Sequence, residues 1–247
     1  MTARYYSAAP IIDERVALDG DEAHHLLHVM RAGPGARVVL FDGSGWEFDA
    51  EVKSCQRRTV ELDVLSRREV NRELSNRLVM GVALPKGDRQ KWLVEKLTEL
   101  GVTELVPLHT EHSVAQPGGE AIERLARTVI EASKQCGRNR LMQISSARAF
   151  GDFVNSATTG GSVRRLIAHP TGKLLAELAH RDGQDIVSAV GPEGGFTDAE
   201  HDAALVEGWE TVSLGPRILR IETAAIALAA SLAHRGVVSC KCIIHDV

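Results

Sequence analysis

The pattern of hydrophobic and polar positions changes about seventy residues into the chain. Before that point, apolar and polar residues alternate in short runs, as in strands that bury one face. Residues 59–65 show this alternation, and residues 37–42 and 46–53 flank Gly43-Ser44-Gly45, which predicts a β-hairpin. A helix is predicted over residues 21–31. The first part of the chain is therefore predicted to be mainly β.

Residues 67–77 are rich in charge and poor in core-forming side chains, which is typical of a linker. We place a domain boundary in this segment. The prediction is a first domain over residues 1–72, a linker over 73–77 and a second domain over 78–247.

Residues 78–84 form a continuous apolar run, the pattern of a strand that is buried on both faces. After it, strand and helix patterns alternate along the chain. Further strands are predicted over residues 105–108, 165–168, 186–190 and 211–214, and helices over residues 88–100, 119–136, 173–180, 198–207 and 222–235. This alternation predicts an α/β fold with a mostly parallel sheet.

Unusual sequences follow three of the predicted strands, and ligands of open parallel sheets bind beyond the C-terminal ends of strands. Residues 190–196 (VGPEGGF) are rich in glycine, which allows close backbone approach and exposes N–H groups to a ligand. This string matches neither the dinucleotide fingerprint nor the phosphate-binding loop, so it indicates neither a dinucleotide nor a triphosphate. At another strand end, His169 lies between Ala168 and Pro170 and is interpreted as part of a pocket wall.

The third sequence is residues 214–224 (LGPRILRIETA), where Gly215-Pro216 breaks the chain directly after a strand. Arg217, Arg220 and Glu222 then crowd into the start of a helix. A glutamate suits a helix N-terminus, but cations are disfavoured there by the helix dipole. The two arginines therefore indicate an anionic partner, such as a phosphate or a carboxylate.

The net charge of −4 and the isoelectric point of about 6.2 do not indicate a non-specific binder of polyanions. A local basic stretch over residues 124–148, together with Lys86, Arg89 and Lys91, supplies candidate contacts to RNA phosphates.

No apolar run approaches the roughly 18 residues that a membrane-spanning helix needs, and the N-terminus lacks the apolar segment of a signal peptide. We expect a cytoplasmic protein. Cys240, Cys242 and His245 have no second ligand pair at zinc-like spacing, so no metal site is predicted.

Several strings, in order along most of the chain, together resemble the bacterial family that methylates N3 of a uridine in small-subunit ribosomal RNA (RsmE-like), a member of the SPOUT class. The strings are residues 24–26 (HHL) with 29–31 (VMR), 86–88 (KGD) with 95–101 (EKLTELG), 131–138 (EASKQCGR), 191–196 (GPEGGF), and 214–215 (LG) with 217–224 (RILRIETA). The last two are highly specific in combination.

The resemblance implies an N-terminal PUA-like β-barrel and a C-terminal SPOUT domain with a trefoil knot. It also implies a homodimer in which each cofactor pocket lies close to the partner subunit. S-adenosylmethionine is the implied cofactor, and 16S rRNA in the assembled small ribosomal subunit is the implied substrate. Neither a membrane nor DNA is expected as a partner.

The resemblance also implies roles for residues of the three strand-end turns. Arg217 and Arg220 are candidates to stabilise negative charge on the uracil oxygens or to grip phosphate, and Glu222 is a candidate base or a residue that orients an arginine. The implied cofactor-binding residues are Ala168, His169, Pro170, Val190, Gly191, Pro192, Glu193, Gly194, Gly195, Leu214, Gly215, Ile218, Leu219 and Thr223. The implied RNA-binding residues are Arg4, His25, Arg31, Lys86, Arg89, Lys91, Lys134, Arg138 and Arg140.

Three other functions remain open at this point. A SPOUT enzyme of another kind would methylate a ribose 2′-hydroxyl in tRNA or rRNA. A ribosome-assembly factor would bind RNA without catalysis, although the intact glycine string and the intact string over residues 217–222 disfavour it. A nicotinamide-dependent oxidoreductase would share the α/β pattern, but the missing dinucleotide fingerprint disfavours it.

Overall fold

The computed structural model describes residues 3–115, 118–156, 163–177 and 183–235. The chain forms two compact units. Unit 1 consists of Met1–Glu73 and Ile130–Leu141, and unit 2 consists of Leu74–Val129 and Met142–Val247. Cys240, Cys242 and His245 lie outside the described residues. Within the described ranges, every helix is too short or too polar to cross a bilayer.

Unit 1 is built on a sheet of five strands in the spatial order β1-β3-β4-β5-β2, namely β1 (Arg4–Tyr6), β2 (Arg15–Leu18), β3 (Arg37–Phe41), β4 (Trp46–Cys55) and β5 (Val60–Glu69). β1 and β3 pair in parallel, and the other neighbours are antiparallel. β3 and β4 form the predicted hairpin. The inward side chains of Tyr5, Leu40, Phe48 and Leu62 are nearly fully buried in one core. The prediction of a mainly β first region is confirmed.

The predicted helix over residues 21–31 is divided in the structure. It begins as α1 (Gly20–His24) and continues as a π-helix over His25–Val29, in which the N–H of Met30 donates to the carbonyl of His25. Arg31 then adopts a φ of +52°, which is uncommon for a residue with a side chain. Val29 and Met30 are exposed beside it.

The segment Ile130–Leu141 is joined to the rest of unit 1 by arginines that share the buried carboxylate of Glu47. Arg4 Nη1 donates to Glu47 Oε1 (2.6 Å) and Arg4 Nη2 to Asn139 Oδ1 (2.5 Å). Arg72 Nη1 donates both to Glu47 Oε1 and to the Gly137 carbonyl, each at 2.7 Å. A carboxylate that is only 1% exposed is stable there because its charge is paired and hydrogen-bonded.

Replacing Glu47 with glutamine is expected to destabilise the protein at neutral pH. Burial raises the pKa of Glu47, but the hydrogen bonds and charges of Arg72 and Arg4 outweigh burial and lower it to about 2, from 4.5. A pKa that is lower in the folded state contributes stability above pH 4.5, on the order of 3 kcal/mol, which is lost as the pH falls towards 2. Urea denaturation at pH 7 should give a lower free energy of unfolding for E47Q than for wild type. The difference between the two should become smaller below pH 4.5.

The matched control is Glu51→Gln on the same strand, because the Glu51 side chain is 41% exposed and its Oε2 lies 3.6 Å from Nε of the exposed Arg37. Its effect is expected to stay within about 0.5 kcal/mol. Equal stability of wild type and E47Q at pH 7 would show that this cluster does not stabilise unit 1.

Unit 2 contains a parallel sheet of seven strands, which confirms the predicted α/β class. The spatial order is β12-β10-β11-β6-β7-β8, and β9 pairs with β7. The strands are β6 (Leu78–Val82), β7 (Glu104–His109), β8 (Gln143–Ile144), β9 (Arg148–Ala149), β10 (Val163–Leu174), β11 (Asp185–Val190) and β12 (Glu210–Ser213). The helices are α2 (Arg89–Glu99), α3 (Gly119–Cys136), α4 (Phe150–Ser156), α5 (Asp198–Val206) and α6 (Ile221–Arg235). α3 contributes residues to both units.

The prediction of a helix over residues 173–180 is wrong for residues 173–177, the part that the structure describes. β10 continues to Leu174, and a single 3₁₀ turn follows over Leu175–Glu177. Pairing with β12 explains the difference, because Val212 is opposite Ala168 and then again opposite Lys173. The four residues between these two positions bulge out of the strand, and β10 then returns to the sheet.

Candidate active site

Three turns at one edge of the parallel sheet enclose a cavity of about 540 Å³. One turn follows β11, another follows β12, and the third is the bulge within β10. These three strands are neighbours in the sheet, which brings the turns to the same edge. The cavity is lined by residues of the β10 bulge, the glycine turn after β11 and the turn after β12, namely Ala168, His169, Pro170, Val190, Gly191, Pro192, Glu193, Gly194, Gly195, Phe196, Val212, Ser213, Leu214, Gly215, Pro216, Arg217, Ile218, Leu219, Ile221 and Ala224.

The glycine turn (residues 191–195) is held by close contacts that favour glycine. A Cβ on Gly191 would lie 3.0 Å from the ring of Phe196, and one on Gly194 would lie 3.2 Å from Cβ of His112. Gly195 has a φ of +73°, which favours glycine. The ring Nδ1 of His112 is 3.2 Å from the carbonyl oxygen of Gly195. These contacts place the backbone of the turn at the cavity wall.

The turn after β12 (residues 214–219) carries exposed side chains. Gly215 has a φ of +110° and donates its N–H to Ser213 Oγ (3.3 Å). Ile218 is 99% exposed, and Arg217 is also exposed at the cavity wall. In the described part of the chain, the Arg217 guanidinium has no hydrogen bond or ion pair. It is therefore available to an anionic ligand.

The third wall is the bulge of β10, where His169 stacks on His201 of α5 with ring centroids 4.3 Å apart. His169 Nδ1 lies 2.8 Å from Thr171 Oγ1, and His201 Nε2 lies 3.0 Å from Thr211 Oγ1. Burial lowers the pKa of His169, and His201 lowers it further, whereas Asp198 raises it. The net shift of the His169 pKa is downward, which favours the neutral form of this side chain.

Glu222, in the first turn of α6, is buried and does not line the cavity. The cation beside it is Arg89, the first residue of α2, whose Nη1 is 3.5 Å from Glu222 Oε2. The same nitrogen is 3.5 Å from Glu193 Oε1, in the glycine turn. Arg89 therefore lies between two carboxylates rather than free at the surface.

Comparison with known proteins assigns the chain to a family. Residues 72–233 match the RNA methyltransferase domain, and residues 18–65 match the RNA methyltransferase PUA domain. The chain belongs to the RNA methyltransferase family. This membership also confirms the predicted combination of an α/β domain with a separate N-terminal PUA-like domain, whereas the trefoil knot stays a prediction.

Relatives that span most of the chain carry one name. The ribosomal RNA small subunit methyltransferase E of Synechocystis is 35% identical over 89% of this chain and 73% of its own length. The enzyme of the same name from Bacillus subtilis is 27% identical over 89% of this chain and 90% of its own length. The solved structure of the Neisseria gonorrhoeae enzyme of that name, bound to S-adenosyl methionine, has a TM-score of 0.86 and 28% identity and covers 95% of this chain and 98% of its own.

In this member of the RNA methyltransferase family, the structure brings almost all the predicted cofactor-binding residues together on the cavity wall. Thr223 is exposed and does not line the cavity. Among the candidate catalytic residues, Arg217 lines it, while Arg220 is exposed outside it and Glu222 is buried beside Arg89. Six further lining residues were not among the predicted site residues, namely Phe196, Val212, Ser213, Pro216, Ile221 and Ala224.

The candidate RNA-binding residues of unit 1 fall into three groups. Three cations are paired within the unit: Arg4 with Glu47, Arg138 with Glu73 (2.5 Å) and Lys134 with Glu22 (2.9 Å). Their side chains are 15%, 4% and 12% exposed, so these cations stabilise unit 1 through their ion pairs and offer little charge to a ligand. His25 is partly buried and packs beside Tyr5. Arg31 and Arg140 are exposed.

In unit 2, Lys86 and Lys91 are exposed on either side of Arg89. Neither lysine has an ion pair with a described residue. They can therefore meet a phosphate without first leaving another partner. The described residues contain no group of three or more histidine, cysteine or acidic side chains arranged to hold a metal ion.

Proposed function

We propose that the protein transfers the methyl group of S-adenosylmethionine to N3 of a specific uridine of 16S rRNA in the small ribosomal subunit. The observation that carries this proposal is the cavity formed by the three turns. In addition, relatives that match about 89% of this chain are named small-subunit rRNA methyltransferases. The solved Neisseria relative, of similar fold, is bound to S-adenosyl methionine.

The cavity suits this cofactor in size and chemistry. Its volume of about 540 Å³ lies within the range of about 300–1,000 Å³ that is usual for small-molecule and cofactor sites. A Cβ on Gly195 or Gly215 would meet no atom within 4 Å, so the backbone of both turns is open to a ligand. Val190, Leu214 and Leu219 supply apolar wall. The lowered pKa of His169 favours its neutral form, which suits a positively charged sulfonium.

When bound, S-adenosylmethionine supplies an electrophilic methyl group on a sulfonium sulfur. The protein must hold N3 of the uridine in line with the breaking C–S bond, because orientation provides much of the rate of such a displacement. The N3–C bond forms as the C–S bond breaks, and the N3 proton passes to solvent. A base inside helical RNA cannot reach a cavity, so the target uridine is flipped out or unpaired.

The roles of the polar residues follow from their positions. Arg217 lines the cavity and stabilises the negative charge that develops on the uracil oxygens when N3 loses its proton. Arg220 is exposed outside the cavity and grips a phosphate of the RNA. Glu222 orients Arg89 rather than acting as a base, because it is buried away from the cavity wall.

RNA docks by phosphate contacts from exposed cations of each unit, and the strongest candidates are Arg31, Arg140, Lys86 and Lys91. The protein acts in the cytoplasm, without a membrane or DNA as partner. A homodimer is also part of the proposal, because Ile218 is 99% exposed and Trp92 is 46% exposed on unit 2, and a second copy would cover them. Light scattering of the purified chain should give twice the monomer mass of 26.8 kDa.

Mass spectrometry of 16S rRNA nucleosides from cells with and without the gene tests the proposed reaction. The expected result is loss of one N3-methyluridine, restored by the wild-type gene. Loss of a ribose 2′-O-methyl nucleoside would identify the other SPOUT reaction. An unchanged set of modified nucleosides would favour an assembly factor without catalysis.

A further inference from the structure

One cation lies between two turns of the candidate active site. Arg89 Nη1 is 3.5 Å from Glu193 Oε1 and 3.5 Å from Glu222 Oε2. Glu193 belongs to the glycine turn, and Glu222 opens α6 directly after the turn over residues 214–219. We call these three residues the Arg89 bridge. It connects the two turns from outside the cavity lining, because Arg89 and Glu222 do not line the cavity.

The position of Arg89 on its helix is unfavourable without these partners. Arg89 is the first residue of α2, and that helix has no acidic residue in its first turn. A cation at a helix N-terminus is repelled by the helix dipole. The carboxylates of Glu193 and Glu222 offset that repulsion, in addition to the acidic N-cap residue Asp88.

Glu222 has an equally specific need for Arg89. Its side chain is 6% exposed, and its Oε2 is buried without a hydrogen-bond partner. Burying a carboxylate is costly unless a cation or hydrogen-bond donors compensate its charge. Among the described residues, Arg89 is the one cation within 4 Å of this carboxylate.

The glycine turn has another contact within unit 2. His112 packs against Gly194, and its Nδ1 lies 3.2 Å from the Gly195 carbonyl oxygen. The Arg89 bridge is the second attachment, through Glu193. Without it, the turn would keep its contact with His112 but lose its link to α6 and to the turn before α6.

We propose that Arg89 is a positioning residue, which holds the two turns at the spacing that the cofactor needs, rather than a contact to RNA. This inference rests on the proposed function, since it concerns the affinity for S-adenosylmethionine. Arginine suits the role because its guanidinium stays charged, and its Nη1 lies 3.5 Å from both carboxylates.

Calorimetric titration of the full-length protein with S-adenosylmethionine and S-adenosylhomocysteine tests the proposal. Arg89→Ala should raise the Kd of both about tenfold, within the usual range for coupling between sites, and Arg89→Lys should give an intermediate value. Lys91→Ala is the matched control, because Lys91 is an exposed cation two residues away without an ion pair among the described residues. It should change cofactor Kd less than about twofold and instead raise the KM for RNA.

Hydrogen exchange of the cofactor-free protein gives a readout that needs neither ligand nor activity. The amides of residues 191–195 should exchange faster in Arg89→Ala than in wild type, and at the wild-type rate in Lys91→Ala. If Arg89→Ala does not fold, Glu193→Gln replaces it, since Glu193 is exposed at the turn. Glu193→Gln should weaken cofactor binding in the wild-type background, and it should weaken it less in Arg89→Lys, where the bridge is already impaired.

Two results would overturn the inference. The first is a cofactor Kd that stays unchanged in Arg89→Ala, Arg89→Lys and Glu193→Gln. The second is that Arg89→Ala changes only the salt-dependent binding of RNA, as Lys91→Ala does. Failure of the proposed function would look different, because wild type itself would then bind neither S-adenosylmethionine nor S-adenosylhomocysteine.

Discussion

Replacing Gly172 with alanine is expected to destabilise unit 2 by more than about 3 kcal/mol, at or above the upper end of the usual cost of overpacking. A Cβ at this position would lie 2.6 Å from both the backbone N and C of Val212 and 2.7 Å from the backbone C of Thr211. These are backbone atoms of β12, so no flexible side chain can move aside. Urea denaturation and the yield of folded protein measure the effect.

Gly151→Ala is the matched control. Gly151 lies in α4, and its Cβ would meet no atom within 4 Å. Alanine is favoured over glycine within a helix by about 1 kcal/mol, so this variant should be as stable as wild type or slightly more stable. Wild-type stability of Gly172→Ala would show that the bulge of β10 does not pass as close to β12 as the structure places it.

Replacing Arg217 with alanine is expected to lower kcat for methylation by a hundredfold to a thousandfold, the usual cost of removing one donor that stabilises an oxyanion, roughly 10²–10³. The reason is that the Arg217 guanidinium is exposed at the cavity wall and has no ion pair with any residue that the structure describes. The Kd for S-adenosylmethionine should change little. Single-turnover rates with small ribosomal subunits, alongside calorimetry, separate the two effects.

Arg220→Ala serves as the comparison, since Arg220 is equally exposed but does not line the cavity. It should raise the KM for RNA, most strongly at low salt, with a much smaller loss of kcat. A collapse of cofactor affinity in Arg217→Ala would instead assign Arg217 to the cofactor.

The cavity could be predicted from the sequence because each of its walls is formed by a short continuous segment of the chain. The glycines of residues 190–196 and the Gly215-Pro216 break each reveal a turn without knowledge of the rest of the chain. The parallel sheet then brings these turns to one edge, and the order of β12, β10 and β11 puts them side by side. Phe196 and Pro216 belong to the same two strings, so the signal for both was already in the sequence.

What could not be predicted depends on partners that are distant in the sequence. Arg4 and Arg138 look like free cations until Glu47 and Glu73 are placed beside them. The link from Arg89 to Glu193 and Glu222 likewise spans more than a hundred residues. A basic stretch therefore predicts charge, but not whether that charge faces solvent.

The helix predicted over residues 173–180 failed for a related reason. Leu174, Leu175 and Leu178 have the spacing of an amphipathic helix. Pairing of Lys173 and Leu174 with β12 overrides this local preference. Gly172 makes that pairing sterically possible, which no periodicity reveals.

The most direct test of the central claim is methyl transfer in vitro from methyl-labelled S-adenosylmethionine to small ribosomal subunits purified from cells that lack the gene. After digestion of the 16S rRNA to nucleosides, the label should appear in N3-methyluridine at close to one methyl group per subunit. Label in a ribose methyl group or in another base, or no transfer by a folded protein that binds the cofactor, would contradict the account.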